Sequence, residues 1–182
     1  MARSLGVEVE VKSSVEDIRK LKKRLSEMGA RKVDDAVEND VYYNHPARDF
    51  ARTDEALRIR TCAGRSSLTY KGPKLDFRSK SREELIIGLD SAPDAAAMLE
   101  RLGFRKVAEV RKRRRRYALG QFEICLDRVA GLGAFIEIEA QAPRKGYEKV
   151  LDRALSLLVR LGGKKQERRS YLELLLSRKG LK

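Results

Sequence analysis

Near the start of the chain, apolar and charged residues alternate strictly. Residues 7–12 read Val-Glu-Val-Glu-Val-Lys, which places the valines on one face of a β-strand and the charged side chains on the other. Similar alternation, bounded by glycines and polar turns, predicts seven further strands. They cover residues 30–44, 56–62, 66–72, 82–88, 107–119, 121–128 and 134–141.

Helical periodicity separates groups of these strands. The first predicted helix carries apolar residues at helical spacing, namely Ile18, Leu21, Leu25 and Met28. Ser14 is predicted as its N-cap, with Asp17 three residues later as a carboxylate variant of the capping box, and Gly29 ends the helix. Residues 45–54 read as a polar loop. Further helices are predicted over about residues 91–102, 146–161 and 170–178.

A short internal similarity recurs at an offset of 74 residues. The segment Gly29-Ala-Arg-Lys-Val33 matches Gly103-Phe-Arg-Lys-Val107, and each follows a predicted helix and leads into a strand. The strand at residues 8–12 corresponds to residues 82–86 at the same offset. We interpret this as a duplicated strand–helix–strand unit.

One face of nearly every predicted strand is charged, and both signs are present. Its members are Glu8, Glu10 and Lys12, then Arg58, Arg60, Lys71, Arg82, Glu84, Glu123, Asp127, Glu137 and Glu139. A single strand of this kind could simply face solvent. Eight antiparallel strands, however, are about the number that closes a small barrel, and three amphipathic helices are available to cover an apolar outside. We therefore predict an α+β fold: an eight-stranded antiparallel β-barrel, or tunnel, with a charged lumen, forming one domain over residues 1–182.

Composition narrows the chemistry. Of 182 residues, 41 are Lys or Arg and 27 are Asp or Glu, and a hydrophobic fraction of 42% is sufficient for a core. Cys62 and Cys125 lack metal-site spacing, and His45 is the one histidine, which disfavours zinc and serine-triad chemistry. No Gly-rich nucleotide-binding motif is present. No apolar run is long enough to span a bilayer and no signal peptide is recognisable, so we expect a cytoplasmic protein.

Charges enclosed in a lumen need partners, because desolvation costs several kcal/mol per ion. A bound polyanion would satisfy the cations, and a divalent metal would satisfy the carboxylates. The predicted contents of the tunnel are therefore an anionic substrate together with a metal ion.

The ordered set of motifs resembles the CYTH superfamily, which includes class IV adenylyl cyclases of the CyaB type, thiamine triphosphatases and triphosphate tunnel metalloenzymes. Its hallmark is present as Glu8-Val-Glu10-Val-Lys12. The further matches, in order, are Asp40-Val-Tyr-Tyr43, Leu57-Arg-Ile-Arg60, Thr69-Tyr-Lys-Gly-Pro73, Ser81-Arg-Glu-Glu84, Lys112-Arg-Arg114, Cys125-Leu-Asp127, Gly131-Leu-Gly133, Glu137-Ile-Glu139 and Ser170-Tyr-Leu-Glu-Leu-Leu175. The resemblance covers about residues 5–176 and is closest to the CyaB-like prokaryotic and archaeal branch.

The resemblance implies roles for individual residues. Mg²⁺ or Mn²⁺ would be held by Glu8, Glu10, Asp127, Glu137 and Glu139. The triphosphate would be bound by Lys12, Arg58, Arg60, Lys71, Arg82, Lys112 and Arg114, and the catalytic residues would be Lys12, Glu8 and Glu10. Secondary candidates near the tunnel mouth are Tyr42, Tyr43, Arg169 and Tyr171. Many relatives carry a further acidic residue where this chain has Ile86, so activity here could be narrower or absent.

Three functions remain open from the sequence. The first is metal-dependent hydrolysis of a triphosphate such as ATP, tripolyphosphate or thiamine triphosphate. The second is cyclisation of ATP to cyclic AMP and pyrophosphate, as in a class IV adenylyl cyclase. The third is a non-catalytic polyphosphate- or RNA-binding module, suggested by the run Arg111 to Arg116.

Alternation divides that run, so that Lys112, Arg114 and Arg116 face the tunnel and the other three face outward, to solvent or to acidic residues on a helix. An RNA binder has no use for paired carboxylates on its basic surface, which argues against nucleic acid as a partner. The segment 172–176 could contact a second copy in a homodimer, although a docked C-terminal helix is the simpler interpretation.

Overall fold

The computed structural model describes residues 7–163 and 165–180. The strands are β1 (Val7–Ser14), β2 (Arg31–Asn44), β3 (Ala56–Cys62), β4 (Arg65–Lys74), β5 (Arg82–Leu89), β6 (Arg105–Leu119), β7 (Phe122–Val129) and β8 (Gly133–Ala142). The helices are α1 (Ile18–Glu27), α2 (Phe50–Thr53), α3 (Ala92–Arg101), α4 (Tyr147–Arg160) and α5 (Tyr171–Arg178). None of the described helices has the length and apolar character needed to cross a membrane.

All eight strands form one closed antiparallel barrel in the order β1-β5-β4-β3-β2-β6-β7-β8. This confirms the predicted fold class. Exchanging β1–β4 with β5–β8 reproduces the same cyclic order, so the barrel has a pseudo-two-fold arrangement. The duplicated unit predicted from the sequence corresponds to β1-α1-β2 and β5-α3-β6. Gly29 and Gly103 end the two helices with φ angles of 76° and 87°, a left-handed conformation that glycine adopts without steric cost.

The seam between β1 and β5 is short. Within residues 7–163 and 165–180, Val7 and Glu8 are the residues of β1 that pair with β5, through Glu83 and Arg82. Beyond them the edge of β1 is covered by connecting segments: the Lys80 N–H donates to the Glu10 carbonyl over 3.1 Å, and the Glu167 N–H donates to the Lys12 carbonyl over 2.7 Å. The loop between β4 and β5 and the segment between α4 and α5 therefore complete the wall at this point.

The main hydrophobic core lies outside the barrel. The apolar faces of β1, β7 and β8 pack against α1 and α4, with Val9, Ile138, Leu151 and Leu158 among the buried residues. A second cluster joins α3 to the outer face of β3. The alternation that sends charges inward thus sends valine and isoleucine outward into helix contacts. Cover is incomplete on β5, where the outward-facing Leu85 is 52% exposed.

Two local predictions were wrong. Ser14 belongs to β1, and the N-cap of α1 is Asp17, whose carboxylate accepts from the N–H of Arg19 over 2.7 Å. The strand continues past Lys12 because Ser14 still pairs with β8. The predicted loop at 45–54 contains α2, a single turn capped by Asp49, which accepts from the Ala51 N–H.

Candidate active site

The interior of the barrel holds a cavity of about 330 Å³ to which every strand contributes. Nine carboxylates and eight cationic side chains line it. Of the twelve residues assigned to the site from the sequence, ten line this cavity: Glu8, Glu10, Arg58, Arg60, Lys71, Arg82, Lys112, Arg114, Glu137 and Glu139. The remaining two, Lys12 and Asp127, are fully buried and do not line it.

The cationic wall comprises β2, β3 and β6. Its lumen residues are Glu38, Asp40, Arg58, Arg60, Lys112 and Arg116. Asp40 accepts two hydrogen bonds from Arg60, of 2.6 and 2.8 Å, and one from Lys112 of 2.9 Å. Burial would raise the pKa of Asp40, but Arg58, Lys112 and Arg60 hold it well below its ordinary value. The four cations are therefore held in place by two buried acids.

Glu38 is the second of these acids. It lies 3.0 Å from the Lys112 Nζ and 3.1 Å from an Arg60 nitrogen, and it also accepts from Arg116. Burial would raise the pKa of Glu38, but Arg114, Lys112, Arg60 and Arg116 lower it to about 2. Sequence reasoning assigned no role to either acid. The signal was available, because Glu38 and Asp40 are two apart on β2 and share a face.

Arg58 lies farther from its carboxylate partners than the neighbouring cations do from theirs. Its nearest carboxylate oxygens, on Asp40 and Glu84, are 3.5 and 3.8 Å away. Its Nε has no hydrogen-bond acceptor among the described residues. A buried guanidinium with unused donors is suited to bind an anion that enters the cavity.

The acidic wall comprises β1, β7 and β8. Its inward-facing residues are Glu8, Glu10, Glu123, Glu137 and Glu139, which line the cavity, and Lys12 and Asp127, which are buried behind them. The register sets Glu10 directly opposite Glu139, and Glu139 directly opposite Glu123, so that three carboxylates form a row. Like charges in opposite positions destabilise a sheet. Burial raises the pKa of Glu139 to about 8, with contributions from Glu8, Glu137 and Glu10.

Arg114 connects the two walls. It makes paired hydrogen bonds with Asp127, of 2.9 and 2.6 Å, and a further bond with Glu139 of 3.1 Å, and it also donates to Glu137. The Tyr171 hydroxyl donates to Asp127 over 2.8 Å. Both Asp127 oxygens are thus occupied, which places this carboxylate as an anchor for Arg114. Its predicted role as a metal ligand stays a prediction.

Lys12 lies behind the lumen surface. Its Nζ is 3.9 Å from Glu137 and 4.1 Å from the centre of the Tyr171 ring, and it donates to the Arg169 carbonyl. Burial and the nearby Lys80 lower the pKa of Lys12 to about 7. The amine can therefore gain or lose a proton near neutral pH, and its assigned catalytic role stays a prediction.

The rest of the predicted set divides between lumen and surface. Lys71 bonds to Glu8 and lies 3.3 Å from Glu84, while Arg82 donates to the Asp54 carbonyl over 3.1 Å. Among the secondary candidates Tyr42, Tyr43 and Tyr171 line the cavity. Arg169 does not line it, and its exposed guanidinium pairs with Glu167.

Residues outside the barrel strands also reach the site. Lys80, from the loop before β5, lines the cavity and bonds to Glu10, a contact that no strand pattern could signal. On β5, Ile86, where the resemblance implied an acidic residue, lines the cavity and carries no charge. The outward Arg113 and Arg115 pair with Asp35. The acidic partner thus lies on the adjacent strand β2, where the sequence analysis had suggested a helix.

The donor set fits a metal that prefers oxygen ligands. Ligand atoms of Glu123, Cys125 and Glu139 lie within 4.8 Å of one another. Burial raises the pKa of the Cys125 thiol well above its ordinary value, so it stays protonated and is a poor ligand. The carboxylate row that includes Glu10 therefore offers the donors, and oxygen-rich sites suit Mg²⁺ or Mn²⁺. Burial is the main cause of the raised pKa of Glu139, and the neighbouring carboxylates, which a cation would neutralise, add to it.

One part of the cavity is apolar. Phe50, Leu57, Val107, Leu172 and Leu176 contribute to its lining, two of them from α5. The cavity therefore joins a charged region to an apolar one, as a ligand with an anionic part and an organic part would require.

Comparison with known proteins agrees with this architecture. The chain is 37% identical over 171 residues to a curated Methanocaldococcus jannaschii protein whose name assigns it provisionally as an adenylate cyclase; the match covers 92% of this chain and 98% of the relative. A Pyrococcus horikoshii structure matches with a TM-score of 0.87 and 40% identity, covering 94% of this chain and 99% of that one.

A Hippeastrum protein shares the fold at a TM-score of 0.64 with 16% identity, over 97% of each chain. It is described as an adenylyl cyclase candidate with a dominant triphosphatase activity. At this identity the likeness shows the fold alone. The family model of the CYTH domain matches residues 6–171. The chain belongs to the CYTH domain family.

Proposed function

We propose that this protein is a metal-dependent enzyme that hydrolyses an inorganic or organic triphosphate inside its barrel. The observation that carries the proposal is the near balance of charge in the cavity, with nine carboxylates against eight cations. A triphosphate alone would add a large negative charge to this balanced lumen. A triphosphate that enters with divalent cations keeps the balance, which explains why carboxylates and cations occur together.

The acidic wall would hold the metal. Glu8, Glu10, Glu137 and Glu139 line the cavity on this wall and would be the Mg²⁺ or Mn²⁺ ligands, and Asp127 would support them by fixing Arg114. When bound, the metal would neutralise phosphate oxygens and favour attack by a nucleophile. Lys12 lies behind Glu137 and can hold or release a proton at Nζ near neutral pH.

The cationic wall and its neighbours would bind the phosphates. The candidates are Arg58, Arg60, Lys71, Arg82, Lys112 and Arg114. Arg58 is the most direct of these because its donors are not saturated by protein carboxylates. Arginine and lysine held rigidly around a phosphoryl group stabilise the charge of the transition state at little reorganisation cost. Hydrolysis then needs only a water molecule in line with the terminal phosphate.

The Hippeastrum protein supports hydrolysis as a reaction that this barrel can accommodate. The main alternative is cyclisation of ATP, in which the ribose 3′-hydroxyl attacks and pyrophosphate leaves. Two observations favour it: the name of the Methanocaldococcus relative, and the apolar part of the cavity around Phe50 and Leu172, where a base could lie. The acidic wall disfavours a purely RNA-binding role, since its carboxylates would repel a nucleic acid.

The test is an incubation series with separated products. Purified protein is mixed with tripolyphosphate, ATP or thiamine triphosphate, each with Mg²⁺ or Mn²⁺. Orthophosphate without cyclic AMP supports hydrolysis, whereas cyclic AMP with pyrophosphate establishes the cyclase. Glu10→Gln is the matched control, and we expect the variant to fold and its turnover to fall on the order of 100-fold. Absence of turnover with all three substrates and both metals would refute the proposal.

A further inference from the structure

Lys80 lies between the carboxylates that the proposed function assigns to the metal. Its ammonium bonds to Glu10 and is 3.6 Å from an oxygen of Glu137. The side chain is 9% exposed and lines the cavity. Its own N–H donates to the Glu10 carbonyl, so backbone and side chain are both fixed on the same residue of β1.

The loop that carries Lys80, residues 75–81, is itself held firmly. Ser79 and Ser81 are fully buried and bonded to each other over 2.7 Å. Asp76 accepts from the Tyr147 hydroxyl of α4 over 3.0 Å, and the Gln166 side chain donates to the Arg78 carbonyl. The position of the ammonium is therefore part of the built site and does not depend on a freely rotating surface side chain.

We propose that Lys80 is an internal counter-cation of Glu10 and Glu137, that a divalent metal must displace it, and that the released ammonium then binds the triphosphate. The inference rests on the proposed function. It adds that metal and triphosphate bind cooperatively. The metal takes the carboxylate partners of Lys80, and the triphosphate provides the ammonium with new ones.

Displacement follows from charge. An ammonium and a divalent ion do not share the same two carboxylates, because like charges held this close in a buried site repel strongly. The ammonium of Lys80 lies within reach of both carboxylates, which favour its charged form.

The released ammonium needs a new partner. A charged group that has lost its partner in a buried site is strongly destabilised. The phosphate chain lies within the same cavity and supplies oxygen acceptors. Linkage then requires that the triphosphate tighten metal binding by the same factor as the metal tightens triphosphate binding.

The test measures Mn²⁺ binding from the electron paramagnetic resonance signal of the free ion, with and without the non-hydrolysable analogue imidotriphosphate. In the wild-type protein the analogue should tighten Mn²⁺ binding. In Lys80→Met, Mn²⁺ alone should bind about 10-fold more tightly than in the wild type, and the tightening by the analogue should shrink by a similar factor. Lys80→Arg should behave as the wild type does.

Lys74→Met is the matched control. Lys74 is also a half-buried, ion-paired lysine, but its partner is Asp54 and it does not line the cavity, so Mn²⁺ affinity should not change. If Lys80→Met does not fold, Lys80→Gln gives the same test. Wild-type binding of Mn²⁺ that neither neutral variant tightens would overturn this inference alone. Failure of every variant to bind Mn²⁺, with or without the analogue, would overturn the proposed function as well.

Discussion

The two walls of the lumen differ in how far their buried carboxylates are compensated by nearby cations. On the cationic wall, Glu38 and Asp40 are surrounded by arginine and lysine, and the pKa of each acid is lowered. On the acidic wall, Glu10, Glu139 and Glu123 face one another across adjacent strands, and the pKa of Glu139 is raised to about 8. On the cationic wall each acid is paired with cations, whereas on the acidic wall the carboxylates outnumber the cations.

This difference separates stability from function. A complete network holds cations in fixed positions and contributes to folding, because removal of one member leaves buried charges without partners. A row of carboxylates costs folding energy and is useful only when another cation is bound. We therefore expect substitutions on the cationic wall to act mainly on stability or anion affinity, and those on the acidic wall to act mainly on metal binding.

The largest expected effect is on Asp40. Asp40→Asn keeps the shape of the side chain but removes the charge that holds Arg60 and Lys112. We expect the free energy of unfolding in urea to fall by about 3–5 kcal/mol. The control is Asp35→Asn on the same strand, where the partner Arg113 is largely exposed, and the expected loss is about 0–1 kcal/mol. Equal losses for the two variants would contradict the distinction between lumen and surface.

The second effect sharpens the contrast within the cationic wall. Arg58→Met removes a buried guanidinium whose carboxylate partners are 3.5 and 3.8 Å away, so stability should fall, but by less than when a close buried ion pair is broken. The KM for the triphosphate should rise about 10- to 100-fold, the value of one or two charge-assisted hydrogen bonds. Arg60→Met removes close bonds to Asp40 and should be the less stable variant. An unchanged KM for Arg58→Met would remove this residue from the substrate site.

The sequence predicted the barrel and the lumen because both depend on alternation. A period of two assigns each strand residue to a face, and ten of twelve predicted site residues line the cavity as a result. Lys12 illustrates the limit: its face was correct, but whether it reached the lumen or lay behind it depended on the Tyr171 ring, which comes from a distant helix.

Two other features could not be predicted from the sequence, for different reasons. Lys80 lies in a loop, where no periodicity assigns a direction, and its position depends on contacts from α4 and residue 166. The shared face of Glu38 and Asp40 was visible in the sequence, but their role as anchors was not, because it depends on pairing between β2, β3 and β6. Patterns within a strand are local, whereas the partners of a buried charge are set by the closed sheet.

The smallest effect concerns Glu139 and has a sign opposite to that of Asp40. The folded carboxyl keeps its proton up to about pH 8, whereas an unfolded glutamate loses it near pH 4.5. Between these values unfolding releases a proton, so the contribution of Glu139 to the free energy of unfolding falls as the pH rises from 4.5 to 8 and is constant above.

Glu139→Gln removes this dependence. In EDTA it should be more stable than the wild type at pH 8 and equal to it near pH 4.5. Glu137→Gln, on the same strand, removes a carboxylate whose pKa is held well below its ordinary value by Lys80 and Arg114 against the effect of burial, and should lose stability at pH 8. If both variants lost stability, the acidic wall would have no excess of charge for a metal to neutralise.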